Sequence, residues 1–270
     1  MEIREKIFAN LSDVKEKSPL IHHITNYVTV NDCANIVLAL GGSPVMADEL
    51  EEVAEMVGFA SALVLNIGTL NSRTIESMLV AGLRAKELGV PVILDPVGVG
   101  ATKLRTRTAE KLIRVLKPEV IRGNMSEIKM LAGLEVVIKG VDSLADEQDS
   151  SVIAKRLASE LSCVIAITGK TDVVSDGSQV CLLDNGHRIL ADVTGTGCMT
   201  TSLVGTFCGV TNDYFTAAVA GIISMGLAGE IAQASLHHGE GIGTFRARLL
   251  DSIYNLTPET LAREGKISYE

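Results

Sequence analysis

A chain of 270 residues, 47% of them hydrophobic, is long enough for a large buried core, and its formal charge of −9 is too small for so apolar a chain to be disordered. With 33 acidic against 24 basic residues and no basic run, it is a poor partner for nucleic acid or an anionic membrane. Aromatics at 3% and the absence of tryptophan exclude a stacking platform for single strands, whereas a small phosphorylated ligand needs only one basic group and a few backbone amides.

Residues 1–17 are charged and helical in pattern, which is unlike a signal peptide, and the protein is expected to be cytoplasmic. Short apolar runs then alternate with helical patterns. Residues 61–66 and 90–95 read as strands with a helix over 70–88 between them. A helix over 106–116 leads to a third strand at 119–122. The most charged stretch, Asp142 to Ser151, reads as an exposed connection or helix start and a weak domain boundary. A helix over 151–161 precedes a buried strand at 163–168. Two further strand-like pieces, 173–176 and 179–183, meet at Asp176-Gly177, a hairpin signal. From residue 197 onward the chain reads as almost wholly helical. Tyr214 to Gly229 is uncharged but too short for a membrane span, and it predicts a buried helix packed in the core or at an interface. The alternation predicts an α/β fold: one domain over 1–270, a three-layer sandwich with a mostly parallel central sheet, an antiparallel edge and helices on both faces.

The five cysteines, Cys33, Cys163, Cys181, Cys198 and Cys208, are odd in number and form no CxxC pair, so neither a zinc site nor a disulfide framework is expected. His22 and His23 lie in a strand-like run, so at most one faces a pocket. His237 and His238 are expected to end a helix, in favourable contact with its dipole.

Ligands of open α/β sheets bind beyond the C-terminal ends of the strands, and four such places carry polar residues or glycine. Asp95 closes a strand ahead of a Pro-Val-Gly-Val-Gly loop; its carboxylate either holds Mg2+, directly or through water, or caps the turn before Pro96. Arg122-Gly123-Asn124-Met125-Ser126-Glu127 follows the third strand. Arg122 suits a bidentate phosphate contact, and Glu127 either helps hold the metal or completes a helix start capped by Asn124. Thr168-Gly169-Lys170 reads as a phosphate-contacting turn or an ordinary surface turn. Asp192-Val193-Thr194-Gly195-Thr196-Gly197-Cys198 leads into a helix, where backbone amides and the helix dipole favour an anion. Cys198 is there either a thiol of lowered pKa or a small buried residue. The loop is neither a P-loop nor a dinucleotide fingerprint. Together the four supply two carboxylates for a metal, a phosphate arginine, an anion hole and a proton acceptor, the parts of a phosphoryl transferase.

Five segments, 22–29, 44–48, 93–100, 122–127 and 167–172, together with 192–198, resemble the hydroxyethylthiazole kinases, a branch of the ribokinase-like family, over most of the chain. The resemblance implies ATP-dependent phosphorylation of the hydroxyl of 4-methyl-5-(2-hydroxyethyl)thiazole, in thiamine salvage. It implies Arg122 and Thr168 at ATP, beside Gly197 of the anion hole. It implies Met46 and Gly195 at the thiazole with Asn26 nearby, and Asp95 and Glu127 at Mg2+. The wider family has Asp as base where this chain has Cys198, a departure typical of the thiazole branch. The family's Gly-Pro-Gly is here Gly241-Ile242-Gly243, and the turn is expected to persist. No spare strands are present for the lid of the related sugar kinases; the resemblance implies a homotrimer with each site completed by a neighbouring subunit. Hydroxymethylpyrimidine or pyridoxal kinase is the alternative within the fold, against which segments 22–48 argue. A cysteine acyl transferase with Cys198 as nucleophile lacks a distinctive His motif. A binding protein without turnover would not need the full metal, phosphate and anion-hole set.

Overall fold

The computed structural model describes residues 2–133 and 146–270; residues 142–145 of the charged stretch lie outside them. The central sheet has nine strands: β1 (Leu20–Ile24), β2 (Ser43–Val45), β3 (Ala62–Asn66), β4 (Val92–Asp95), β5 (Val120–Asn124), β6 (Val164–Thr168), β7 (Asp172–Ser175), β8 (Val180–Leu183) and β9 (Ile267–Tyr269). Their order is β2-β1-β3-β4-β5-β6-β7-β8-β9. Pairings from β2 through β6 are parallel, and those from β6 to β9 are antiparallel. The predicted hairpin is present, with Gly177 in the left-handed region and Asp176 Oδ1 accepting from the Ser178 and Gln179 N–H groups.

Successive strand residues point to opposite faces, so a sheet covered on both sides needs unbroken apolar strands. Val64, Ile93, Val120 and Ala166 enter one core, with α1 (Ile3–Lys17), α2 (Val30–Leu40), α8 (Thr196–Cys208), α9 (Tyr214–Ala234) and α10 (Ile242–Tyr254). Leu63, Leu65, Leu94, Ile121, Ile165 and Ile167 enter the other, with α3 (Val53–Val57), α4 (Ser72–Leu88), α5 (Lys103–Leu116) and α7 (Asp146–Leu161). The short α6 (Met125–Leu131) follows β5 directly, and α11 (Pro258–Glu264) precedes β9.

Helix α9 is long and apolar enough to cross a membrane, but it is buried in the first core. It is apolar all round because protein surrounds it. Gly221 lies so close to Val204 of α8 that a Cβ there would come within 2.6 Å of its backbone nitrogen. The chain after residue 197 is almost wholly helical, as expected, and its one strand among the described residues is β9, a three-residue edge strand too short to leave an alternating pattern. His237 and His238 lie beyond the end of α9 at Ala234, not on it, so the dipole argument for them lapses. Gly241 is the N-cap of α10, and Ile242 takes the first helical position, where proline is ordinarily at home.

Candidate active site

Parallel pairing brings the C-terminal ends of β1 to β6 to one edge of the sheet. Asn66 and Asp95 stand side by side in register, as do Asn124 and Thr168. Helix α8 ends its approach above this edge. Its N-cap Gly195 has φ +93°, a conformation L side chains rarely adopt, and a Cβ there would meet Thr29 Cγ2 at 2.7 Å. The Thr196 hydroxyl donates to Leu190 O (2.9 Å), tying the helix start to the preceding 3₁₀ turn, Arg188–Asp192. The first N–H groups of α8 have no intrahelical acceptor, which makes its start a seat for an anion.

Arg122, Thr168 and Gly197 come together here. The Arg122 guanidinium donates through Nη2 to Thr168 Oγ1. Its Nη1 is so near Gly197 that a Cβ on that residue would be 2.8 Å away. The Nε is buried without a partner. These three residues line a cavity of about 450 Å³ that continues over Gly169, Lys170 and Asp172. Asp172 accepts from the Gly169 N–H (2.8 Å), and burial pushes its carboxyl up to about 7 against the pull of Arg122. Asp172 lies inside a motif visible in the sequence, yet only its place in the cavity marks it.

Asp95 is fully buried at the end of β4. Its Oδ2 accepts from Asn66 Nδ2 (2.7 Å) and Thr201 Oγ1 (3.0 Å), while Oδ1 is buried without a partner. Burial pushes the carboxyl up to about 6; Arg122 opposes the rise and Glu127 adds to it. Glu127 is the helix-start residue of α6: Oε2 accepts from the Asn124 N–H and Asn124 Oδ1 accepts from the Glu127 N–H. Its Oε1 also accepts from the Gly98 N–H (2.8 Å), reaching the loop that follows Asp95. The capping role is therefore real, and each carboxylate oxygen keeps a second lone pair. Among the described residues no three His, Cys, Asp or Glu side chains cluster as metal ligands. Two carboxylates, one with an unpaired buried oxygen, fit Mg2+, which takes few protein ligands and completes its shell with water and phosphate oxygens. Arg105 braces the same region from α5, donating to Val97 O (3.1 Å) and Gly68 O (2.7 Å) and so joining the loops after β3 and β4.

Cys198 is half-buried in the first turn of α8, and its sulfur accepts from Asn26 Nδ2 (3.4 Å) and Asn66 Nδ2 (3.3 Å). The helix-start argument predicts a lowered thiol pKa. The structure reverses that: burial, then the Asp95 charge, push the thiol up and outweigh the amide donors. The partners of the sulfur are amides, not an imidazole, which removes the basis for a cysteine acyl transferase. His23 is buried instead between Ile21 O and Ser202 Oγ, and His22 Nε2 donates to Ala47 O (2.7 Å). The two histidines thus point opposite ways. The latter bond tethers the segment carrying Met46, which is half-buried just past β2.

Sequence reasoning missed Asn66, Thr201, Arg105 and the buried Asp32, which Arg246 of α10 pairs through its Nε and Nη2 groups. Asn66 was within reach, because it closes an apolar strand just as Asp95 does. The others become visible only once distant elements meet.

A cavity lined by Arg122, Thr168 and Gly197 beside buried carboxylates, at the strand ends of a mostly parallel sheet, defines a ribokinase-like small-molecule kinase. The family model that matches the chain, over residues 11–259, is that of the hydroxyethylthiazole kinase family, and the chain belongs to it. It is 52% identical to a hydroxyethylthiazole kinase of Clostridium beijerinckii, covering 98% of both chains. It is 52% identical to one of Alkaliphilus oremlandii over 99% of both. The solved hydroxyethylthiazole kinase of Pyrococcus horikoshii superposes with a TM-score of 0.90 at 38% identity, covering 98% of this chain and 99% of that one. A Bacillus subtilis pyridoxal kinase shares the fold at a TM-score of 0.58 and 16% identity, covering 76% of this chain and 89% of that one.

Proposed function

We propose that the protein transfers the γ-phosphoryl group of ATP to the hydroxyl of 4-methyl-5-(2-hydroxyethyl)thiazole. The observation that carries this reading is the contact of Arg122 with Gly197, which joins the phosphate arginine to the helix start bearing Cys198. ATP lies along the cavity with its phosphates toward Arg122, Thr168 and Gly197. The thiazole alcohol lies on the Asn26, Met46, Gly195 side. Arg122 and the α8 amides take up charge as it develops on the transferring group. The hydroxyl oxygen bonds to phosphorus as the bridging P–O bond breaks and its electron pair leaves with ADP. The proton passes to Cys198 Sγ in its thiolate form. Since the transition state is loose, early proton removal contributes little, and a thiol mostly protonated at rest is compatible with turnover once it has released its own proton to solvent. Asp95 and Glu127 would hold Mg2+, directly or through water, which would supply positive charge against the phosphates.

The reading extends to a single domain over 1–270 and to a homotrimer whose sites lie at subunit boundaries. Tyr27 and Val28, directly beside Asn26, are 59% and 65% exposed, an apolar rim that a neighbour would cover. All five cysteines are free, which suits the cytoplasm. A panel of thiazole alcohol, hydroxymethylpyrimidine and pyridoxal with ATP tests the substrate: the thiazole should be phosphorylated with the highest kcat/KM, and a preference for either other alcohol would refute the reading.

A further inference from the structure

Asn66 closes β3, is 3% exposed, and uses every hydrogen-bonding position of its side chain. Its Oδ1 accepts from the Gly68 N–H (2.9 Å) and from Asn26 Nδ2 (3.0 Å). Its Nδ2 donates to Asp95 Oδ2 (2.7 Å) and to Cys198 Sγ (3.3 Å). Two donors and two lone pairs are all that an amide has. The backbone donor at Gly68 fixes the orientation, because a flipped amide would set N–H against N–H. Asn26 is oriented in the same way: its Oδ1 accepts from the Val28 and Thr29 N–H groups (both 3.1 Å), which leaves Nδ2 for Asn66 and for Cys198 Sγ (3.4 Å).

The sulfur therefore faces two N–H groups whose direction the main chain dictates. A neutral thiol is a weak acceptor and gains little from two donors. An ionised sulfur gains much more, since hydrogen bonds to a charged acceptor are about twice as strong. Asn66 also stands between the sulfur and the Asp95 carboxylate and gives one N–H to each. That is what two neighbouring anions need in order to coexist.

We propose that Asn66 is a positioning residue for phosphoryl transfer, whose amide fixes Cys198 and Asp95 relative to each other and, with Asn26, stabilises the Cys198 thiolate that accepts the substrate proton. The role rests on the kinase reading above. During transfer the hydroxyl proton moves to sulfur and Asn66 itself gains and loses nothing.

Alkylation of the full-length protein by iodoacetamide, followed at Cys198 by peptide mass, tests this without turnover. Cys198 is the half-buried cysteine, and the other four are buried. In Asn66→Ala the alkylation rate at fixed pH should fall about tenfold, the effect of a one-unit rise in thiol pKa. A purely packing role predicts the opposite sign, because a loosened site exposes the thiol. Asn66→Ser, a smaller perturbation, should fall between parent and Asn66→Ala. Asn26→Asp, which keeps the acceptor for Val28 and Thr29 and loses the donor, should also slow alkylation. In the kinase assay Asn66→Ala should lower kcat while the thiazole KM stays within about twofold. Alkylation as fast as the parent's, or faster, in the folded variants overturns the proposal. Slowed alkylation in a protein that fails to phosphorylate the thiazole would uphold Asn66 and strike only the substrate reading.

Discussion

Replacing Arg122 by alanine is the sharpest perturbation of the nucleotide side. Arg122 is 9% exposed, bonded to Thr168 Oγ1 and pressed against Gly197, where it joins the strand end to the start of α8. Its Nε is buried with no protein partner, and the residue lines the cavity. Loss of one donor that strengthens as charge moves costs about 3–4 kcal/mol, or roughly 10²–10³ in kcat. The loss also removes the positive charge that holds Asp95 and Asp172 down, so both carboxyls rise further and the Mg2+ requirement should grow. Arg122→Lys keeps the charge but not the two-pronged donor, and should recover only part of the rate. The assay is steady-state kinetics with varied ATP at saturating thiazole and Mg2+, with folding checked by circular dichroism. A folded Arg122→Ala enzyme with kcat within threefold of the parent would refute the assignment.

Cys198→Ala should slow turnover yet leave measurable activity, and Cys198→Asp, carrying the carboxylate of the wider family, should keep or raise the rate; a folded but inactive Asp variant would end the base assignment. Glu127→Gln keeps one acceptor for the α6 start and loses the charge, so it should raise the Mg2+ concentration for half-maximal rate, and an unchanged Mg2+ dependence would leave Glu127 a capping residue alone. Burial pushes His23 from 6.5 down to about 4. Its folded pKa is depressed, so the unfolded chain binds the extra proton, and stability is lost as pH falls from 6.5 toward 4. The loss is about 2 kcal/mol by pH 5. Asp95 and Asp172, whose carboxyls are raised, act in the opposite direction, so the quantity to measure is the difference in urea unfolding between the parent and His23→Asn at pH 7 and pH 5. A difference that does not change with pH would show that His23 is not held neutral. Sedimentation at micromolar concentration should give a trimer, and an active species that is only monomeric would remove the shared-site reading while leaving the chemistry intact.

The central strands were legible because a strand covered on both faces must be apolar along its length, as residues 62–65 and 164–167 are. Strand β1 was half-hidden by its two buried histidines, and β2 and β9 by having three residues each. At the site, the strand-end rule located Asp95, Arg122 and Thr168, and the glycines located the helix start. It did not anticipate the direction of the Cys198 thiol, because the rule weighs the helix terminus and not the burial or the Asp95 charge that a fold places beside it. Asn66 closes a strand like Asp95, but an asparagine in that place looks like a turn residue until register sets it against the carboxylate. Thr201 is hidden for a simpler reason: one helical threonine among several shows nothing until Asp95, 106 residues away in sequence, meets it.

The measurement that tests the central claim most directly is the product formed from ATP, Mg2+ and 4-methyl-5-(2-hydroxyethyl)thiazole by the pure, folded protein, followed by ³¹P NMR. The account predicts a new phosphomonoester signal in step with ADP, absent without the thiazole and abolished when Mg2+ is chelated. ADP formation without the phosphomonoester, or no reaction at all, would contradict it.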